Sequence, residues 1–366
     1  MMYILHLSSA KTWRGGEQQI AYLIEELQLL EIQQSVFCVE NGAFAAWCQQ
    51  ESVECKTYRK RASFDPKIAK QISKLVREQQ ITHLHAHDSH AHTYAFLASV
   101  LFRLKVPIIV SRRVDFPVSN SLLSRWKYNH SSIKKIICIS HHIQRILQPA
   151  INDHRKLTVV HSGIRAERFP DAHQNILRKS YQIPQEKKII ANIAALADHK
   201  DYPTFVRTAA ILLDQRKDIH FFIIGGDAGV ESNIHRMIAE KQLEDYITLT
   251  GYQKEVASIF PELDLLLFTS KEEGLGTTVL DAFACGVAVV ATAAGGIPEM
   301  ITHRATGSLA PIGRADQLAE EVIFLLEQEE ERKRIIKNAK NKLSEFSSKK
   351  MADAVLEVYR ELYSKH

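Results

Sequence analysis

Short apolar runs of strand length alternate with helical patterns along most of this 366-residue chain. Six such runs occupy the first half: Tyr3–Leu7, Ser35–Val39, Ile81–His85, Pro107–Val110, Lys135–Ile139 and Leu157–Val160. Between the first two runs, the spacing of Ile20, Leu23, Ile24 and Leu27 marks one apolar face of a helix. Regular alternation of strands and helices predicts a doubly wound parallel sheet of the Rossmann-like α/β class.

A second series of strand-like runs follows a segment without periodicity, His161 to Pro170, which carries glycine and proline and is predicted to be the linker. Its members are Lys188–Ala195, His220–Ile224, Ile247–Thr250, Leu263–Phe268 and Val287–Ala291. We therefore predict two Rossmann-like domains, residues 1–165 and 166–347, that face each other across a ligand-binding cleft. The last residues are helical only and form an amphipathic terminal helix.

Composition excludes several other classes of protein. No apolar run approaches the roughly 20 residues needed to cross a bilayer, and the N-terminus lacks the flanks of a signal peptide, so we expect a cytoplasmic protein. The five cysteines are scattered, without a Cys-x-x-Cys pair.

Residues 1–165 hold 22 Lys and Arg against 12 Asp and Glu, whereas the remainder holds 25 against 30. The basic half is predicted to meet an anionic partner.

The segment from Ser270 to Glu299 carries the most informative chemistry. It reads as a loop with Glu273, a glycine-bracketed turn, a helix with Asp281, and a buried strand. Ionised carboxylates accept hydrogen bonds from the paired hydroxyls of a sugar, and the free N–H groups at a helix N-terminus suit a phosphate. The pattern predicts a sugar-nucleotide site.

This segment resembles the signature of glycosyltransferase family 4, whose members are retaining transferases of the GT-B architecture with two Rossmann-like domains. The resemblance implies that Glu273 binds the donor sugar and that Asp281, where the family has glutamate, binds the ribose. It also implies that the C-terminal helix, residues 348–366, returns to complete the first domain. The backbone of the turn is expected to hold the diphosphate: Gly274, Leu275, Gly276, Thr277 and Thr278.

Further positions match the family elsewhere in the chain. Gly15 and Gly16 follow the first strand and resemble the glycine pair that meets the donor phosphate. Lys200 matches a lysine that binds the diphosphate, but Ala195 stands where the family has an arginine, and Arg14 is a possible replacement. Tyr252 follows a strand where the family meets the nucleotide base.

Five histidines occupy the ten positions from His83 to His92, with both ends included. Three of them, at 83, 85 and 87, would share one face of a strand and could bind zinc, although we predict no metal. By resemblance, His87 instead reaches the donor sugar beside the reacting carbon. Asp88 is expected either to orient His87 or to cap the following helix.

A group of basic residues in the first half is expected to bind the acceptor or an anion, because guanidinium forks bind oxyanions bidentately. Arg112 and Arg113 are adjacent at the end of a predicted strand. Lys127 and Arg14 extend the group.

The resemblance implies a retaining glycosyltransferase that moves a sugar from a nucleotide diphosphate sugar, most readily a UDP-sugar, to an acceptor hydroxyl without a cofactor or essential metal. We expect a glycan or glycolipid acceptor from the cell envelope, such as lipopolysaccharide or capsule, and contact with the inner face of an anionic membrane. A sugar-nucleotide 2-epimerase and a non-catalytic nucleotide-sugar binding protein remain alternatives. Nucleic acid is not expected, because basic and aromatic residues are not interleaved.

Overall fold

Two parallel sheets form the framework, one in each of two units into which the chain divides. The computed structural model describes residues 1–169 and 175–364. One unit combines Met1–Gly163 with Ser348–His366, and the other is Ile164–Ser347. The division falls within the segment predicted as the linker, whose last residue, Pro170, lies outside the described residues. The expected α/β class with two Rossmann-like sheets is confirmed.

The first unit contains a sheet of seven parallel strands in the order β3-β2-β1-β4-β5-β6-β7. The strands are β1 (Tyr3–Leu7), β2 (Gln33–Val39), β3 (Cys55–Tyr58), β4 (His83–Ala86), β5 (Ile108–Arg112), β6 (Ile133–Cys138) and β7 (Leu157–Val159). Its helices are α1 (Gly15–Leu29), α2 (Ala43–Gln50), α3 (Pro66–Glu78), α4 (Ser89–Phe102), α5 (Leu122–Asn129) and α6 (His141–Leu147). The strand order turns back at β1, as in a doubly wound sheet.

The second unit contains a sheet of six parallel strands in the order β10-β9-β8-β11-β12-β13. The strands are β8 (Lys188–Ile193), β9 (Ile219–Ile224), β10 (Ile247–Gly251), β11 (Leu265–Phe268), β12 (Ala288–Thr292) and β13 (Ser308–Ala310). The helices are α7 (Ile176–Tyr181), α8 (Tyr202–Gln215), α9 (Glu231–Glu240), α10 (Thr278–Ala284), α11 (Ile297–Met300), α12 (Ala315–Glu327) and α13 (Glu329–Lys342).

Two strands were not anticipated from the sequence, one at an edge of each sheet. In β3, two of the four residues are exposed, so this strand lacks the continuous apolar run of a strand buried on both faces. The other, β13, is three residues long, too short for its pattern to stand out from the flanking loops. The predicted apolar face of α1 is correct, because Ile20, Leu23, Ile24 and Leu27 are all buried.

The terminal helix α14 (Ser348–Tyr363) packs against α1 of the first unit. Its buried residues include Met351, Val355 and Tyr359, and they share one core cluster with Leu23 and Leu27. The hydroxyl of Tyr359 lies 2.5 Å from Nδ1 of His85, which ties the helix to β4.

Among the described residues, no helix is long and apolar enough to cross a membrane.

Candidate active site

In a parallel sheet the carboxyl ends of all strands lie at one edge, and ligands of such folds bind there. The predicted site residues follow strand ends in both units. In the second unit, the loop after β8 carries Ala195 and Lys200, and the loop after β9 carries Gly225. The loop after β10 carries Tyr252, and the loop after β11 carries Glu273.

Lys200 and Glu273 form the centre of the second unit's site. Lys200 Nζ donates a hydrogen bond to Oε1 of Glu273, and both side chains are largely buried, with 14% and 10% exposed. Ser270 Oγ donates to the same oxygen at 2.9 Å. The hydroxyl of Thr269 donates to the backbone oxygen of Lys200 at 3.1 Å, which fixes the two loops to each other. A cation and a carboxylate are thus held side by side at the strand ends.

Two adjacent glycines in the loop after β12 contact the backbone carbonyl of Glu273. Gly296 N donates to the carbonyl oxygen of Glu273 at 3.0 Å. Gly295 has a φ of +54°, and a Cβ atom built at this position would lie 1.8 Å from that oxygen. No residue with a side chain fits there without moving the loop. This contact was missed at the sequence level, although the adjacent glycines after a strand were a signal.

The turn predicted to hold the diphosphate leads directly into α10. Gly276 has a φ of +88° and accepts a hydrogen bond from Val279 N at 2.9 Å. The Leu275 side chain is buried, so only its backbone can serve a ligand. Thr277 is the N-cap residue of α10 and Thr278 is its first residue. The contacts of these residues with a phosphate remain predictions.

Asp281 lies in the first turn of α10. Burial raises the pKa of its carboxyl group to about 7, and the positive charge of Arg168 offsets part of this rise. The carboxyl is therefore partly protonated at neutral pH. The protonated form can also donate a hydrogen bond, and the expected contact of Asp281 with the ribose stays a prediction.

Three further loops of the second unit lie close together. A Cβ atom at Gly225 would lie 1.9 Å from the carbonyl oxygen of Ala194, and one at Gly226 would lie 3.6 Å from Cβ of Tyr252. Tyr252 is exposed, as a residue that stacks on a base would need to be. Ala195 is exposed beside these loops and supplies no cation.

In the first unit, a chain of hydrogen bonds fixes the proton positions of His87. Gln34 Nε2 donates to the carbonyl of Ile24 at 2.7 Å, so its Oε1 must accept from His6 Nε2, 3.1 Å away. Nδ1 of His6 is then an acceptor and receives the proton of His87 Nε2 at 3.0 Å. Nδ1 of His87 therefore carries a lone pair, and this buried atom has no hydrogen-bond partner.

Burial keeps these imidazoles neutral. It lowers the pKa of His6 to about 4. It also lowers the pKa of His87 well below its usual range, and the neighbouring His85, His6 and Arg113 lower it further. His6, His85 and His87 have nitrogens within 4.8 Å of one another, so His6 replaces His83 in the trio considered from sequence. Both nitrogens of His6 and of His85 already form hydrogen bonds, which a metal ion would have to displace.

Asp88 caps α4 and does not orient His87. Its Oδ1 accepts from the backbone N–H groups of His90 and Ala91 at 3.0 and 2.9 Å. Its two oxygens also accept from Ser9 N and Ser9 Oγ, both at 2.6 Å. The carboxylate thus joins the loop after β1 to the start of α4, which settles the alternatives in favour of the cap.

Gly15 and Gly16 form the first turn of α1, and Arg14 is the exposed N-cap residue, whose N–H donates to Glu17 Oε2 at 3.1 Å. A Cβ atom at Gly16 would lie 3.8 Å from Cδ of Arg113. Burial lowers the pKa of Arg113 to about 10, against the opposing effect of Glu17. The structure thus places Gly16 beside this arginine, and the contact of these residues with a phosphate or another anion stays a prediction.

Arg112 and Lys127 point into the unit. Arg112 is buried, and its guanidinium donates to Tyr128 Oη at 3.3 Å and to the carbonyl of Phe116. Lys127 Nζ donates to Thr93 Oγ1 at 3.1 Å, and burial lowers its pKa to about 8. These two residues hold the surrounding loop and helix in place, and their expected contact with the acceptor or an anion stays a prediction.

Sequence comparison identifies both halves of the chain. Residues 13–168 match the family described as Glycosyltransferase Family 4, and residues 173–342 match Glycosyl transferases group 1. The chain belongs to the group 1 glycosyltransferases. This glycosyltransferase is 25% identical over 304 residues to N-acetyl-alpha-D-glucosaminyl L-malate synthase of Bacillus anthracis, covering 81% of the chain and 79% of that enzyme.

Solved structures agree with the fold of this glycosyltransferase. A glycosyltransferase from Rickettsia africae superposes with a TM-score of 0.86 at 19% identity and covers 100% of this chain and 99% of its own. Anabaena HepE, solved in complex with UDP and glucose, gives a TM-score of 0.84 at 19% identity, covering 99% and 100%. At these identities the likeness supports the architecture alone.

Proposed function

We propose that this glycosyltransferase moves a sugar from a nucleotide diphosphate sugar, most readily a UDP-sugar, to an acceptor hydroxyl with retention of anomeric configuration. The observation that carries the proposal is the Lys200–Glu273 pair at the carboxyl edge of the second sheet. A carboxylate suits the hydroxyls of a sugar, and an ammonium suits a phosphate. A sugar diphosphate presents both groups a few bonds apart, so one ligand can engage both residues.

The proposed chemistry needs stabilisation of the leaving diphosphate. Lys200 supplies one positive charge, and the N–H groups of the turn around Gly276 supply partial charge directed at the same group. Ala195 leaves the site with one cation fewer than the family pattern. Asp281, partly protonated, would exchange hydrogen bonds with the ribose hydroxyls in both directions.

We propose a glycan or glycolipid of the cell envelope as acceptor and the cytoplasmic face of an anionic membrane as the place of action. The support is the excess of basic residues in the first half of the chain.

Retention is tested on the product, because NMR of the new glycosidic bond reports its anomeric configuration.

Thermal unfolding in the presence of UDP-, GDP-, ADP- and CMP-sugars tests the donor site. A ligand at a hundredfold its Kd stabilises by about 2.7 kcal/mol. We expect a UDP-sugar to raise the Tm. Glu273→Ala should reduce the preference for the sugar nucleotide over UDP, whereas Glu272→Ala, at the exposed neighbouring carboxylate, should preserve it.

Failure of all four nucleotide sugars to shift the Tm would overturn the donor site. Conversion of the UDP-sugar to its epimer without any acceptor would replace transfer by 2-epimerisation. Binding without turnover over a panel of envelope glycans and glycolipids would favour a non-catalytic nucleotide-sugar binding protein.

A further inference from the structure

The short helix α5 of the first unit exposes apolar side chains on its outer face. Its outward face carries Leu122, Leu123 and Trp126, which are 88%, 59% and 48% exposed. Positions three and four apart share one face of a helix, so these three side chains form a continuous apolar ridge. A surface helix usually buries such a ridge. We therefore expect a binding partner to cover this exposed apolar face.

The inward face of α5 is held by polar groups. Tyr128 is buried and accepts a hydrogen bond from Arg112. Lys127 donates to Thr93 of α4. Trp126 is only half exposed, because its ring also contacts Phe96 of α4 edge-on, with 4.8 Å between centroids. These contacts fix the orientation in which both leucines face outward.

The loop before α5 extends the apolar surface. Phe116 is 57% exposed, and Val114 is also exposed. The guanidinium of Arg112 binds the carbonyl of Phe116 and lies 4.7 Å from the centre of its ring, while also binding Tyr128 of α5. One buried arginine thus positions both parts of the surface. We call the surface formed by Val114, Phe116, Leu122, Leu123 and Trp126 the apolar ridge.

The segment of chain that carries the apolar ridge is strongly basic. Residues 89–152 hold nine Lys and Arg and a single acidic residue, Asp115. Five of the basic residues in this stretch are exposed: Arg103, Lys105, Arg125, Lys134 and Arg145. An apolar ridge with a tryptophan, on a basic segment of chain and with the exposed Arg125 on the same helix, has the composition of a segment that lies in the interface of an anionic bilayer.

We propose that the apolar ridge docks the first unit on an anionic phospholipid bilayer, with Leu122, Leu123 and Phe116 inserted among the headgroups and Arg125 beside the lipid phosphates. The inference deepens the membrane part of the proposed function and does not depend on the donor. Peripheral docking of this kind would hold the protein close to a glycolipid acceptor.

Sedimentation of the full chain with vesicles tests the docking. Vesicles of phosphatidylcholine with 30% phosphatidylglycerol are compared with pure phosphatidylcholine at low and high salt. We expect binding to the anionic vesicles that weakens with salt. Leu122→Ser with Leu123→Ser should lower the partition coefficient by about tenfold or more, because each leucine loses its favourable burial. The matched control is Leu29→Ser with Leu30→Ser, a second exposed leucine pair of the same unit, which should leave binding unchanged.

Equal binding to both kinds of vesicle, or an equal loss in the two double variants, would overturn the proposal. Light scattering distinguishes another occupant. If the wild-type protein forms dimers that the Leu122 and Leu123 variant loses, and anionic vesicles do not bind, the ridge is a self-association surface. The Tm shift with a UDP-sugar is measured on the same variants, so failure of docking is separable from failure of the donor site.

Discussion

The side chains of Lys200 and Glu273 form an ion pair although 73 positions separate them in the chain. The loop after β8 carries the lysine and the loop after β11 carries the glutamate, and these two strands are neighbours in the sheet. Strand order therefore brings together two groups of opposite charge whose pairing the sequence does not specify.

Removing one partner of this pair should destabilise the second unit. Lys200→Met or Glu273→Gln leaves a largely buried group without its counterion, which costs about 3 kcal/mol in comparable pairs. The double variant should lose less than the sum of the two, because neither charge is then unpaired. Urea unfolding of the four proteins measures the coupling. Additive losses would show that the pair contributes no interaction energy.

Gly295→Ala should cost more than about 4 kcal/mol and abolish donor binding, because the added Cβ collides with the carbonyl of Glu273. Gly313→Ala is the matched control. Gly313 also has a positive φ, +78°, but nothing lies within 4 Å of its Cβ position, so the change should cost only about 1 to 2 kcal/mol. Equal losses of stability in the two variants would contradict the steric argument.

Asp281 should make stability depend on pH in a direction opposite to that of an ordinary paired carboxylate. Its pKa is about 3.9 in an unfolded chain and about 7 in the folded protein, so the folded state binds the proton more tightly. This contribution is present below pH 4 and is lost as the pH rises through 7.

Relative to Asp281→Asn, the wild-type free energy of unfolding should fall between pH 4 and pH 7 by on the order of 1 kcal/mol per pH unit. Urea unfolding of both proteins at several pH values measures the difference. Asp316→Asn serves as the control, because Arg314 lowers the pKa of this exposed carboxylate to about 2 and the group does not titrate in that range. A constant gap between wild type and Asp281→Asn would contradict the raised pKa.

The long apolar strands were predictable from sequence, and β1 matches its predicted bounds, because a strand buried on both faces carries an uninterrupted apolar run. The contacts that build the site were not predictable in the same way. Gly295 meets Glu273, and His6 meets His87, only because particular strands are neighbours. A resemblance in sequence pointed to Lys200 and Glu273 one at a time and did not predict that they pair. The inward turn of Arg112 likewise depends on Tyr128, which a later helix supplies.

The hydrogen bonds from Gln34 through His6 to His87 predict a single neutral tautomer of His87, with the proton on Nε2. Long-range 15N–1H NMR of the histidine rings distinguishes the two neutral tautomers and the charged form. Between pH 6 and pH 8 we expect a protonated Nε2, a bare Nδ1 and no titration, because burial lowers the pKa values of both imidazoles.

Gln34→Met should remove this constraint, because His6 then has no acceptor that fixes its proton on Nε2 and His87 is free to populate both tautomers. Thr82→Val is the control, since Thr82 lies 2.8 Å from Nδ1 of His83 and makes no contact with His87. The His87 signals of this control should match those of the wild type. A wild-type His87 that titrates near pH 6.5, or that carries its proton on Nδ1, would show that the relay does not set its state. If His87 contacts the donor sugar, as the family resemblance implies, Gln34→Met should also lower kcat more than it raises KM, because His87 then lies beside the sugar during transfer.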